Sequence, residues 1–237
     1  MNLITYIICG DKMVKIIVYN TKTNTLETYY RNKSQQMPYI RNKFLSVREF
    51  VSNSKSNTVW TTKQAMEAFN TTRTKWGKPI YVGYVFKRIY EGGHAYQSQH
   101  YAGLSFDVAQ NMSSSNRKKL NNLAKKLNVW GYVEPISQTP RWVHFDRRYG
   151  TPACNAGYPL LKQGSKGVYV LILQDALNTL GYDTGGLDGI FGTKTKNAVS
   201  NYQRRYGISV TSQVGCQTWT SITKRVRGIG RKSTTID

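Results

Sequence analysis

The sequence predicts an α+β fold, followed by a smaller domain made of three helices. Up to residue 148, segments that alternate apolar and polar residues are interleaved with segments whose apolar residues recur every three or four positions. Beyond a stretch rich in Gly and Pro, only the helical periodicity remains. We therefore divide the chain into an N-terminal β-hairpin region (1–40), a mixed domain (41–148), a linker (149–158), a helical domain (159–226) and a loose tail (227–237).

The first elements are a hairpin and two helices. Residues 13–32 alternate apolar and polar side chains around a polar turn, which is typical of a β-hairpin. Residues 44–55 predict a short helix. Residues 61–78 predict a longer helix that begins with a Thr cap and ends at Gly77.

A strand, a helix and two further strands complete the mixed domain. Residues 79–87 predict the first strand. Residues 113–131 form the clearest helical pattern, in which a Ser cap precedes apolar residues at i, i+3, i+4 and i+7, and Gly131 ends the helix. Residues 132–135 and 141–146 predict two strands around a short loop.

The helical domain is predicted from two long patterns and one short one. Residues 165–182 place Val and Leu on one stripe of a helix. After a glycine-rich loop, residues 193–207 predict a second helix capped by Thr193. A short third helix around residues 218–222 would close a three-helix unit.

The charge of the chain points to an acidic partner. It carries 34 Lys and Arg residues against 12 Asp and Glu residues, which gives a formal net charge of +22. Such a charge attracts nucleic acid, an anionic membrane surface or the acidic polymers of a bacterial cell wall. Because the basic residues are spread along the chain rather than gathered in one arm, we do not expect nucleic acid as the partner.

Two features bear on location. No run of apolar residues approaches the eighteen that a membrane span needs, so we expect no membrane span. The first ten residues make a poor secretory signal, since their apolar stretch is short and no positive residue precedes it. An extracellular protein with this sequence would need another route, such as a phage pore, lysis of the producing cell or an unrecognised export system.

The three cysteines lack the spacing of a cysteine zinc site. Cys154 and Cys216 flank the helical domain and could pair. Free thiols are the preferred interpretation, because disulfides need an oxidising compartment.

Two short stretches carry groups that could hold one metal ion. Residues 98–107 read SQHYAGLSFD, and residues 142–146 read WVHFD. His100, Asp107 and His144 supply two imidazoles and a carboxylate, and catalytic zinc sites use three protein ligands with a fourth position left for water. By spacing alone, histidines that bond to backbone groups are the more common explanation of such a pattern.

A resemblance favours the metal. Five residues fit the S-x-H-x-x-G-x-A-x-D signature of the zinc D-alanyl-D-alanine carboxypeptidase family, with Ser105 where Ala is usual: Ser98, His100, Gly103, Ser105 and Asp107. WVHFD resembles the second histidine strand of that family. The resemblance covers residues 40–148 and implies a small α+β fold with a central antiparallel sheet. It also implies that zinc (Zn²⁺) is bound by His100, Asp107 and His144, as in phage endolysins and other peptidoglycan peptidases.

The helical domain resembles the three-helix peptidoglycan-binding domain of wall hydrolases. The residues that match its pattern are Gly164, Gly167, Val170, Leu173, Gln174, Leu177, Asp188, Gly189, Phe191, Gly192 and Thr195. Most of these positions are explained as turns and core. The resemblance implies bacterial peptidoglycan as the partner.

The general base is the point at which the chain departs from many relatives. Their carboxylate lies three residues before the second histidine, where this chain has Arg141. Two candidates remain. Glu134 resembles the Glu of an E-P-W-H motif interrupted by an insertion, and Asp146 shares a strand face with His144. We favour Glu134 as the base and Asp146 as its support, although either could be an ordinary surface carboxylate.

The resemblance also implies a cation that binds a peptide carboxylate. Relatives use an arginine in the strand before the zinc loop, and Lys87 or Arg88 stands there in this chain. Strand alternation lets only one of them face inward. His94 and Ser98 would help to position the substrate.

The leading prediction is a monomeric zinc peptidase that cuts the peptide stem of peptidoglycan at D-Ala-D-Ala or at L-Ala-D-Glu. It would act at the cell wall, where its positive charge would bind anionic wall polymers. The alternative, motivated by Arg141, is a wall-binding protein with a degenerate peptidase domain.

Overall fold

The computed structural model describes residues 13–230 of the chain. Its strands are β1 (Val14–Asn20), β2 (Thr25–Arg31), β3 (Thr58–Thr62), β4 (Val82–Tyr84), β5 (Ser105–Val108), β6 (Tyr132–Val133) and β7 (Val143–Asp146). Its helices are α1 (Val47–Val51), α2 (Lys63–Trp76), α3 (Ser114–Leu127), α4 (Val168–Thr179), α5 (Thr193–Arg205) and α6 (Cys216–Val226), and a 3-10 turn spans Ile89–Glu91. The α+β prediction is confirmed.

The predicted hairpin is the start of a three-stranded sheet. β1 pairs antiparallel with β2, as predicted, and parallel with β3 on its other side. β3 was not predicted because all five of its residues are buried, so it lacks the alternation that identifies a half-exposed strand. Since β3 lies beyond residue 40, the hairpin region shares its sheet with the domain that follows it.

The second sheet has the order β4-β5-β7-β6 and is antiparallel throughout. It is the central sheet that the resemblance implies. β4 ends at Tyr84, earlier than predicted, because the backbone N–H groups of Val85 and Phe86 leave the sheet. They donate to Ser52 Oγ at 3.0 Å and to the Phe50 carbonyl at 3.1 Å.

The helix boundaries follow the capping residues closely. Thr62 Oγ1 accepts from Ala65 N at the start of α2, and Gly77 ends that helix with a φ of +73°. α3 ends at Asn128 in the left-handed conformation rather than at Gly131. α5 is capped by the backbone of Gly192, and Thr193 is its first residue rather than its cap. Asn and Gly both tolerate these end positions, which is why sequence alone misplaced two boundaries.

The C-terminal domain is the predicted three-helix unit. Every residue of α4 from Val168 to Leu177 is buried, including the polar Gln174 and Asp175. The burial extends around the whole helix because one side packs within its own domain and the other side lies against the first domain. Tyr169 donates to Gln99 Oε1 across this boundary at 3.0 Å.

The connection between the domains is ordered, and it corrects the expectation of free thiols. Cys154 and Cys216 form a disulfide that joins the linker to the first residue of α6. Tyr158 is fully buried. Cys9 lies outside the described residues.

The start of the predicted tail also packs on the first domain. Gly228 N donates to the Ile89 carbonyl at 3.3 Å, and Gly230 N donates to the Tyr90 carbonyl at 3.0 Å. The rest of the tail, residues 231–237, lies outside the described residues. Between residues 13 and 230, no helix combines the length and the apolar character needed to cross a bilayer.

Candidate metal centre

A tight turn before β5 positions His100. Gly103 N bonds to the His100 carbonyl at 3.1 Å, and Leu104 N bonds to the Gln99 carbonyl at 3.0 Å. Gly103 has a φ of +66°, and a Cβ at this position would lie 1.9 Å from the Trp60 carbonyl oxygen. Only glycine therefore fits the turn that brings His100 to the start of the strand.

The strand register brings Asp107 opposite His144. β5 and β7 are antiparallel neighbours in which these two residues are direct partners, so their side chains share a face. The alternate residues on the two strands are fully buried on the core side of the sheet: Phe106, Val108, Val143 and Phe145. The need to bury these four apolar side chains fixes the register, and with it the polar face.

The three predicted ligands form a compact cluster. His144 Nδ1 lies 2.7 Å from Asp107 Oδ1, and His100 Nε2 lies 3.3 Å from Asp107 Oδ2. One ligand atom from each side chain lies within 4.8 Å of the others. The structure thus brings together the three residues that the sequence singled out.

Asp107 and His144 stabilise each other in their charged forms. Burial opposes the ionisation of Asp107, but hydrogen bonds from His100 and His144 outweigh it and hold the pKa of this carboxyl well below its usual range. Burial also disfavours a charged His144, but hydrogen bonds to Asp107 and Asp146 outweigh it and raise the pKa of the imidazole to about 9. A cation bound among these side chains would meet an ionised carboxylate.

The donor set fits a zinc ion. His100 Nδ1 lies 2.7 Å from the Val85 carbonyl, which leaves Nε2 on the side of the cluster. His144 Nε2 lies 3.6 Å from Asp146 Oδ2, which leaves Nδ1 facing Asp107. Metal-binding histidines commonly have their second nitrogen held by a carbonyl or a carboxylate in this way. Two imidazoles and one carboxylate are also a usual ligand set of catalytic zinc.

Asp146 lies behind His144 and is held by Arg148. It is fully buried, and Arg148 Nη2 and Nε donate to its two carboxylate oxygens at 2.5 and 2.8 Å. Burial opposes its ionisation, but the bonds from Arg148 and His144 prevail and lower the pKa of this carboxyl. A carboxylate that is ionised and already bonded on both oxygens is better suited to orienting His144 than to accepting a proton during catalysis.

Glu134 lies at the end of β6, beside His144. Its backbone N–H donates to the His144 carbonyl at 3.0 Å, and its own carbonyl accepts from Asn121 Nδ2 at 2.8 Å. Its side chain lines the same cavity as the three candidate ligands. Within residues 13–230 its carboxylate makes no hydrogen bond or ion pair. The loop between Glu134 and Trp142 therefore returns this carboxylate to the site, although Glu134 lies ten positions before His144.

An open cavity of about 500 Å³ surrounds the cluster, and His94 and Ser98 both line it. The His94 ring stacks on the His100 ring with 4.3 Å between centroids. Burial, followed by repulsion from His100, lowers the pKa of His94 to about 3, so this imidazole is neutral at physiological pH.

The two predicted cations do not line this cavity. Arg88 is 2% exposed and donates to both carboxylate oxygens of Asp175 in α4, at 2.5 and 2.9 Å. Lys87 lines a separate cavity beside Tyr90 and Glu91. The prediction assumed that strand alternation continues through residue 88, whereas β4 ends at Tyr84.

Sequence reasoning missed several residues of the cavity. Arg148 is the one Lys or Arg among its described lining residues, and its guanidinium lies 4.6 Å from the centre of the Tyr132 ring. Ala156 and Gly157 of the linker also line it. Arg148 could have been found two residues after Asp146, but nothing local to the linker indicated its position.

Comparisons with known proteins agree with this geometry. Residues 41–146 match the family model of peptidase M15. This segment is a peptidase M15 domain. It contains all three candidate ligands, together with Glu134 and Asp146. Residues 166–222 match the family model of a putative peptidoglycan binding domain, which follows the M15 segment in the same chain.

Curated relatives share only short segments with this chain. It is 43% identical over 53 residues to the N-acetylmuramoyl-L-alanine amidase CwlM of Mycobacterium tuberculosis, covering 22% of this chain and 13% of that protein. It is 33% identical over 68 residues to the spore cortex-lytic enzyme of Bacillus cereus, covering 29% of this chain and 26% of that protein. A crystal structure of a peptidoglycan-binding protein from Clostridioides difficile, in complex with glutamine hydroxamate, is 34% identical, with a TM-score of 0.29. The match covers 30% of this chain and 44% of that one.

Proposed function

We propose that the protein is a zinc-dependent peptidase that hydrolyses the peptide stem of bacterial peptidoglycan and is held on the cell wall by its C-terminal domain. The observation that carries this proposal is the cluster of His100, Asp107 and His144 in an open cavity that also contains the carboxylate of Glu134. The adjoining peptidoglycan-binding domain supports the wall as the substrate. The enzyme would act as a monomer outside the cytoplasm.

The residues of the cavity suit amide hydrolysis. Zinc held by His100, Asp107 and His144 would lower the pKa of a water molecule and polarise the scissile carbonyl. Glu134 has no competing partner in the described chain and would accept the proton of the attacking water, then pass it to the leaving amine. Asp146 would hold His144 in position from behind.

The substrate carboxylate is assigned to Arg148. We assign to Arg148 the carboxylate contact that the sequence analysis expected of Lys87 or Arg88. Arg148 is the one Lys or Arg residue of the described chain that lines the cavity. Its Nε and Nη2 bond to Asp146, while no hydrogen bond from its Nη1 to a described residue is present. His94 and Ser98, which line the same cavity, would contact the peptide.

The alternative is a wall-binding protein with an inactive M15 domain. It was motivated by Arg141, which stands where an acid is common. The position of Glu134 weakens this alternative, since the cavity contains a free carboxylate supplied by another strand.

The deciding experiment measures the release of free amino groups from purified peptidoglycan, with and without a chelator. We expect release that the chelator abolishes and that the His100→Ala variant lacks. The new termini distinguish cleavage at D-Ala-D-Ala from cleavage at L-Ala-D-Glu. Binding to the wall without release, by zinc-loaded protein and on several wall types, would favour the alternative.

A further inference from the structure

The linker forms part of the metal cavity. Ala156 and Gly157 line it, on the side of Gln97 and Ser98. A Cβ on Gly157 would lie 2.3 Å from Gln97 Oε1, and the φ of this glycine is +105°. The linker and the loop that leads to His100 are therefore in direct contact.

Tyr158 fixes the linker to this loop. Its hydroxyl donates to the Ser98 carbonyl at 2.7 Å, and its backbone N–H donates to Gln97 Oε1 at 2.9 Å. Tyr158 is fully buried, so both bonds are shielded from water. Ala153 N bonds to the Tyr158 carbonyl at 2.9 Å and closes residues 153–158 into a compact turn, here called the strap.

The C-terminal domain holds the strap from the other side. The Cys154–Cys216 disulfide ties it to the first residue of α6. Trp219, also in α6, donates from Nε1 to the Pro159 carbonyl at 2.8 Å, and its ring contacts Tyr158 with 5.0 Å between centroids.

The other end of α6 reaches the same loop. Arg227 follows the last residue of this helix and donates to the His94 carbonyl at 2.7 Å. Its guanidinium lies 4.1 Å from the centre of the Tyr96 ring, and Tyr96 lines the cavity. Residues 94–98 are thus held at one end by Arg227 and at the other end by the strap.

From these contacts we propose that the C-terminal domain is a structural part of the peptidase site. The strap is one wall of the substrate cavity, and the disulfide keeps it against residues 94–100. The C-terminal domain therefore determines how well the metal site accepts a peptide, separately from its binding to the wall. This inference rests on the proposed peptidase function.

The test uses a small substrate for which wall binding is irrelevant. The probe is a soluble stem pentapeptide that contains both the L-Ala-D-Glu and the D-Ala-D-Ala bond. The variant is Cys154→Ser/Cys216→Ser in the full chain, and Cys9→Ser is its matched control. We expect kcat/KM to fall about tenfold or more because KM rises, while the zinc content stays unchanged. The control should behave like the wild type.

A second variant keeps the disulfide. Gly157→Ala would place a methyl group against Gln97 and push the strap away from the loop. Gly181→Ala is its control, because Gly181 also has a positive φ, of +87°, but a Cβ added there would meet no atom within 4 Å. We expect KM to rise only in the first of these two variants.

Hydrogen exchange gives a readout that does not depend on catalysis. Loss of the disulfide should speed amide exchange in residues 94–100, while exchange in β5 and β7 should stay the same. Unchanged exchange in residues 94–100 would overturn the inference, even if the wild-type protein cleaved no peptide and the proposed function failed. Folded variants that cleave the pentapeptide as the wild type does would overturn it as well.

Discussion

At the scale of single residues, the three carboxylates in and beside the cluster have different surroundings. Asp107 bonds to two histidines, and Asp146 is buried beneath Arg148. Both are held ionised, with pKa values below the usual range. Glu134 has no such partners within the described chain, and it is the carboxylate that we propose as the general base.

Glu134→Gln should abolish most turnover and leave zinc binding intact. Loss of a general base lowers rates by about 10²- to 10⁴-fold, and Glu134 is not among the candidate ligands. The measurement is kcat on the soluble pentapeptide, together with zinc content. Glu67→Gln, which changes an acid on a different surface of the domain, is the control. A kcat within threefold of the wild type would exclude Glu134 as the base.

Arg148→Met should raise KM for substrates that carry a free carboxylate. A hydrogen bond to a charged group contributes about 1.5–3 kcal/mol, which corresponds to tenfold or more in KM. Arg147→Met is the control, since Arg147 does not line the cavity. Arg148→Lys should recover part of the loss, because it restores the charge. An equal rise in KM for an amidated peptide would argue against a contact with the carboxylate.

At the scale of the elements, two adjacent strands and one turn build the site. The apolar faces of β5 and β7 are buried, so their polar faces meet with Asp107 opposite His144. The turn around Gly103 then brings His100 to the same point. The arrangement of the three candidate ligands, the first and last of which lie 44 positions apart, thus depends on one strand register and one glycine.

Gly103→Ala should destabilise the domain far more than Gly77→Ala. Both glycines have positive φ values, which cost an alanine about 1–2 kcal/mol. Only at Gly103 would the Cβ also meet a backbone carbonyl, so we expect a total loss above about 4 kcal/mol. Denaturant unfolding of both variants measures the difference. Similar losses would show that the turn can relax around a side chain.

At the scale of the whole molecule, the two domains form a single packed unit in the described chain. Arg88 and Asp175 make a buried ion pair between them, and the disulfide links the strap to α6. The segment that matches peptidase M15 and the segment that matches the putative peptidoglycan binding domain are therefore held in one orientation rather than joined by a free tether.

Asp175→Asn should weaken the junction of the domains. It leaves the buried Arg88 without its carboxylate, and breaking a buried ion pair costs about 3–5 kcal/mol. The midpoint of thermal or denaturant unfolding measures this loss. Asp183→Asn, at an exposed position of the same domain, should change stability by less than about 0.5 kcal/mol. Equally small losses of stability in the two variants would mean that the Arg88–Asp175 pair does not stabilise the junction of the domains.

Binding to bacterial walls should weaken as salt is added. The net charge of +22 attracts anionic wall polymers, and ionic screening reduces that attraction. Sedimentation of the protein with purified walls at increasing NaCl concentration measures the effect. Walls stripped of their anionic polymers should bind less protein, with little dependence on salt. If binding to intact walls does not depend on the salt concentration, the peptidoglycan-binding domain alone accounts for that binding.

The sequence by itself predicted the three candidate ligands, most of the helices and the division into a mixed and a helical part, because these depend on local periodicity and on short motifs. His100, Asp107 and His144 lie in such motifs, and caps such as Thr62 and Ser113 mark helix starts. Tertiary structure alone decided that Arg88 pairs with Asp175, which lies 87 positions away. It also decided the disulfide, whose two cysteines lie 62 positions apart. It also returned Glu134 to the cavity and placed the strap along its edge. These contacts join residues that are distant along the chain, and only the packing of the whole molecule brings them together.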